Sequence, residues 1–148
     1  MTSGEAPSEY RLQNIAFTIS QAKARWKWLL DEYLPEGHMA TLLRPGDVED
    51  DIAMFVSADT YDSLLEQLRL LNSHDLLPDT LIEPAVMWVS PDEARRRLSR
   101  LVEDLEMDDQ IARLGDQAVL APSDIYLHLL QLRQFGLMAL QERRFSKN

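Results

Sequence analysis

A chain of 148 residues is one ordinary domain's worth, long enough to bury about two-thirds of its unfolded surface without cross-links. It has no cysteine, which excludes disulfides, thiolate metal sites and cysteine nucleophiles together. Its net charge of −10 opposes nucleic-acid phosphate and an anionic membrane surface.

The charge is uneven. Residues 31–62 hold nine acids against one base, Arg44, and residues 101–116 hold six against Arg113. Such segments attract a basic protein partner, or a protein that normally grips DNA. The N-terminal MTSGEAPSEYRLQ has no basic stretch leading into an apolar core, and no apolar run approaches the roughly 18 residues of a membrane helix. The expectation is a cytoplasmic protein with no membrane association.

In chain order, residues 1–8 read as a polar lead-in and 9–148 as a single helical domain. From Glu9 to Leu34, Leu12, Ile15, Ile19, Ala22, Trp26, Leu29 and Tyr33 recur at spacings of three and four. That predicts one long helix stopped by Pro35 and Gly37. Residues 38–50 read as a linker with a turn at Arg44-Pro45-Gly46-Asp47. Asp47 can cap a short helix through Phe55; the other reading is a strand over Ile52–Val56. Ser57 or Asp59 caps the next helix, with Tyr61, Leu64, Leu65, Leu68 and Leu71 inward. Residues 72–84 read as a loop. Ser90-Pro91-Asp92-Glu93 predicts a capping box with proline at N1, followed by an inward stripe of Ala94, Leu98, Leu101, Val102 and Leu105. A shorter helix is expected over Asp108–Leu114. A last one opens at Ser123, with Ile125, Tyr126, Leu129, Leu130 and Leu132 inward, and ends at Gly136 or runs on toward Arg144.

Three short apolar runs, Met54–Val56, Met87–Val89 and Ala118–Ala121, each precede a helix at intervals of about 30 residues. As strands (52–56, 85–89 and 117–121) they make a small α/β protein; as helix ends they make a bundle. Because long helices account for most of the chain, the expectation is all-α: an irregular bundle of about five to six helices. Its C-terminal third can be arranged like a winged helix.

Chemistry-bearing patterns are sparse. His38, His74 and His128 have no acid or histidine at ligating helical spacing, and the acids at 47–51 lack the calcium-loop pattern. There is no G-x-S-x-G and no glycine-rich phosphate loop. No catalytic residue, metal or cofactor is therefore expected. In the cluster Arg95, Arg96, Arg97 and Arg100, the pairs Asp92–Arg96, Glu93–Arg97 and Arg100–Asp104 are spaced i,i+4, which favours a self-paired helix face over a phosphate track.

The first helix gives the sharpest expectation. At about 100° per residue, Tyr10, Phe17 and Trp28 project opposite Ile15, Ile19 and Trp26, so the helix has two apolar faces. The second is either buried or a contact stripe of interface-prone aromatics, homodimerisation included. The expected function is a non-enzymatic protein-interaction domain (adaptor, chaperone, immunity protein or inhibitor). Tyr10, Phe17 and Trp28 would anchor its partner, and Asp47, Glu49, Asp50 and Asp51 would steer it. The alternatives are a winged-helix-like regulator or DNA-processing accessory, and an acidic nucleic-acid mimic.

Overall fold

The computed structural model describes residues 12–44 and 51–146. It is built on one six-stranded mixed sheet, with helices on both faces. Strand β1 (Asn14–Thr18) leads into α1 (Ile19–Ala24) and α2 (Trp26–Trp28). A π-helical turn at Leu29–Tyr33 and a 3-10 turn at Leu34–Glu36 finish that helical segment. Then come β2 (Met39–Leu43), β3 (Asp51–Ser57) and α3 (Ala58–Ser73). The second half runs β4 (Ala85–Val89), α4 (Pro91–Arg96), α5 (Leu98–Asp108), β5 (Gln110–Leu114), β6 (Ala118–Pro122) and α6 (Ser123–Ser146).

The strand order is β1-β2-β3-β6-β5-β4. The outer pairs β1–β2 and β4–β5 are parallel, and the inner three pairings are antiparallel. One face carries α1, α2 and α5 over Phe55, Leu120 and Ala112, with Trp26 against Phe55 at 5.4 Å between ring centroids. The other carries α3 and α6 over Met54, Val56, Ile111 and Val119.

The two halves repeat one βαββα pattern. Phe55 pairs with both Ala40 and Leu120, and Leu120 pairs with Ala112. Matching Ala40 to Ala112 gives an offset of 72. The same offset aligns the helix caps Thr18 and Ser90, the buried Ala22 and Ala94, and the one-residue helix breaks at Arg25 (φ −108°) and Arg97 (φ −110°). Beyond β2 the offset is 65, matching Phe55 to Leu120 and Tyr61-x-x-Leu64-Leu65 to Tyr126-x-x-Leu129-Leu130. Because Phe55 faces its own equivalent across the central pair, a pseudo-two-fold axis passes there. The first half has 72 − 65 = 7 more residues around its β2–β3 connection.

The all-α expectation is wrong, and the physical reason is burial. Every residue of β6 is buried, as is β3 beyond Asp51. A strand covered on both faces shows a continuous apolar run rather than alternation. Where a helix was expected from Glu9, the described residues place β1 at 14–18 and begin the helix at Ile19. The linker contains β2, and the helix expected at 108–114 is β5. A winged-helix C-terminal third is therefore excluded, and 137–145, where a wing would fall, continue α6. The small α/β alternative had the right class but half the strands.

The cap signals hold. Ser57 Oγ accepts from the Thr60 amide at 3.0 Å, and Ser90 Oγ from the Glu93 amide at 3.1 Å. The full reciprocal box forms at Thr18 and Gln21 instead. Gly37, at φ 95°, takes the left-handed position that stops the first helical segment.

Candidate functional site

Among the described residues, the aromatics expected to line one face of the first helix do not share a surface. Phe17 belongs to β1 and is 4% exposed, in the core beneath α1 and α2. Trp28 is half-buried, stacked on Tyr33 at 4.8 Å, with Tyr33 in turn on His38 at 4.9 Å and the Arg25 guanidinium 4.6 Å above the indole. It serves the packing of its own half. Asp51 is exposed at the start of β3. Tyr10, Asp47, Glu49 and Asp50 lie outside the described residues. Among the described residues no three His, Asp or Glu side chains gather where they could hold a metal ion.

A different aromatic comes to the surface. Strand β4 forms one edge of the sheet, and its sequence Ala-Val-Met-Trp-Val carries no charge and no proline. Alternation sends Met87 and Val89 toward the core under α5 and leaves Val86 and Trp88 on the opposite face, Trp88 at 66% exposure. Exposed, uncharged edges are what soluble proteins ordinarily protect with charge, proline or a covering element.

Two ion pairs lie behind the edge. Arg113 on β5, beside Trp88 in the parallel register, places its guanidinium 5.4 Å from the Trp88 ring centroid. It also donates two bonds to Asp62 of α3, at 2.7 and 3.1 Å. The bond from Arg113 holds the Asp62 carboxyl below the usual carboxylate range, and the same bond raises Arg113. Just before the strand, Glu83 accepts from Arg69 Nε at 2.8 Å and Nη2 at 2.6 Å. Beneath them Tyr61 is buried, its hydroxyl without a hydrogen-bond partner. Burial, with Glu83 adding to it, pushes the Tyr61 phenol well up. Two arginine–carboxylate forks therefore tie β5 and the approach to β4 to α3.

Two shallow hollows lie elsewhere. One of about 390 Å³ between the first helical segment and α4 is lined by Lys23, Lys27 and Arg95 with Asp31 and Asp92. Its neighbour, about 470 Å³, has Asp31, Asp59 and Asp116 on its walls. The arginines of α4 and α5 are largely occupied: Arg97 binds Glu93 at 2.6 Å, Arg100 binds Asp104 at 3.4 Å, and Arg95 donates to the Lys23 carbonyl. No helix among the described residues is long and apolar enough to cross a membrane.

Trp88 and Arg113 were missed because Met87-Trp88-Val89 was weighed only as strand or helix end. The available signal was an apolar β-branched and aromatic pair two apart, Val86 and Trp88, on a strand reading of 85–89. Comparison with family models, with curated proteins and with solved structures returns no match for this chain.

Proposed function

We propose that this protein is a non-enzymatic protein-interaction module that accepts an extended segment of a partner protein along the β4 edge, with Trp88 as its anchor. The observation that carries this reading is an uncharged edge strand bearing a tryptophan 66% exposed. Strand addition supplies main-chain hydrogen bonds along the edge, and alternate side chains set specificity. An aromatic side chain loses little freedom when it is covered, so its burial contributes directly to affinity. The net charge of −10 then favours a basic segment and raises its rate of encounter.

The test is capture of a partner on immobilised protein, followed by hydrogen exchange of the purified pair. The reading expects slowed exchange at the Ala85–Val89 amides and loss of binding in Trp88→Glu with an unchanged circular dichroism spectrum. A partner that binds Trp88→Glu as tightly as the natural chain, or protects other amides only, refutes it.

A further inference from the structure

We propose a second site, independent of the β4 edge: the outer face of α6 pairs antiparallel with α6 of a second copy of this chain. The internal duplication supplies the comparison. Helices α3 and α6 are equivalents at an offset of 65, yet their outer faces differ. Asp62, Glu66, Arg69 and Ser73 of α3 correspond to Leu127, Gln131, Gln134 and Met138 of α6. Every charge in that set has been replaced by an amide or an apolar side chain. Helix α6 is also the longer, with 24 residues against 16.

The outward residues follow a seam. Leu127, Gln131, Gln134, Met138, Gln141 and Phe145 are spaced four, three, four, three and four, the a/d spacing of a two-helix coiled coil. Leu127 and Met138 are about half exposed and Phe145 is 69% exposed. Arg133, the one cation between Leu127 and Gln141, donates to Gln67 of α3 at 3.1 Å instead. Gly136 packs α6 against α3 so closely that a Cβ there would lie 2.7 Å from Leu71 Cδ1, so the seam stands on a firm base.

The seam is its own complement. In an antiparallel pair centred on Gly136, residue i faces residue 272 − i of the other copy. Leu127 then meets Phe145, Gln131 meets Gln141, and Gln134 meets Met138, each twice. On the flanks of an antiparallel pair like positions face each other, so Phe135 meets Phe135, Leu137 meets Leu137 and His128 meets Glu142. Asp124 at the first turn lies toward the Arg144 end of the other copy, and the helix dipoles oppose. A parallel pair would set Asp124 against Asp124 and Arg144 against Arg144. The seam's self-complementarity points to a second copy, and the charge matching sets it antiparallel.

The 19 residues of the seam span about 28 Å, a contact on the order of 400 Å² per chain, half of a standard interface. The dimer is therefore weak and concentration-dependent. Sedimentation velocity from about 5 to about 500 µM should show the mass climbing toward twice that of the chain. Met138→Glu, at an exposed position, should weaken association at least tenfold with an unchanged melting temperature at low concentration. The double variant Gln131→Glu/Gln141→Lys puts opposite charges face to face in two layers and should tighten the dimer several-fold at low salt. A monomer mass throughout overturns the proposal and leaves the seam to a helix of a different protein. A dimer indifferent to Met138→Glu overturns it as well, and one lost in Trp88→Glu places self-association on β4 instead.

Discussion

The fork between Arg113 and Asp62 can be dissected with replacements the protein already contains. At the equivalent places in the other half stand Thr41 and Leu127, so Asp62→Leu and Arg113→Thr each copy a solution the fold accepts. The Arg113 side chain is 16% exposed and that of Asp62 49%. Removing Asp62 strands a cation that water barely reaches, whereas removing Arg113 leaves a carboxylate that water can solvate. A charge-assisted bidentate bond at a half-exposed carboxylate is discounted for screening, so Asp62→Leu should cost about 1.5 kcal/mol and Arg113→Thr about half that. With an unfolding entropy of about 0.3 kcal/mol/K for a chain of this size, the larger loss lowers Tm by about 5 °C. The double variant should cost about 1.25 kcal/mol, less than either the larger single loss or the sum of the two, a coupling of about 1 kcal/mol. Because the Asp62 carboxyl is depressed in the folded state, its contribution is fully present above its unfolded value of about 4 and is lost as pH falls through the folded value. Thermal melts of the four proteins at pH 7 and again near pH 2.5 measure the cycle. A coupling below about 0.3 kcal/mol at pH 7, or one unchanged in acid, refutes the reasoning.

Other expectations follow from single groups. Tyr61→Phe removes a buried hydroxyl that has no partner, so it should be neutral or raise stability by up to about 1 kcal/mol in urea unfolding, against the usual sign for a core change. Gly136→Val forces a branched side chain where a single Cβ already lies 2.7 and 2.9 Å from Leu71 and Leu77. Overpacking of that kind should lower stability by about 2 kcal/mol despite the gain in helix propensity, and an unchanged Tm would show that α3 and α6 can move apart freely.

The sequence was readable where one face of an element meets water. The α3 stripe from Tyr61 to Leu71 and the stripe from Ala94 to Leu105 are buried as their spacing predicts, because their opposite faces are polar enough to leave a period. Strand β6 has no polar face to mark a period of two, so Ala118–Pro122 looks the same on a helix or a strand. At the N-terminus Ile15 and Ile19 happen to be four apart, which let a helical spacing run through β1. The duplication was hidden for a positional reason. The three runs before 57, 90 and 123 belong to β3, β4 and β6, and β4 is the counterpart of β1, not of the other two. Their spacing near 30 therefore mixed two kinds of element, while the true offsets of 72 and 65 are split by the seven extra residues near 44–50. Phe17 was placed on a helix face by the helical spacing carried through β1, and on a strand it faces the core. Trp88 could be assigned to a free edge only once the strand order was known.

The central pairing also bears on how the chain reaches this fold. Among the described residues, β1–β2 and β4–β5 each join residues 25 apart, as Asn14 to Met39 and Ala85 to Gln110, and the hairpins join residues 15 apart or fewer. Only β3–β6 reaches far, from Phe55 to Leu120. It is the one pairing that joins the two locally formed halves, and by the logarithmic law of loop closure it costs about 1 kcal/mol more than either 25-residue closure. Truncations at Phe55 or Leu120 should slow folding, while those at the outer strands should chiefly hasten unfolding. The pseudo-two-fold axis therefore marks the longest-range pairing of the sheet as well as its middle.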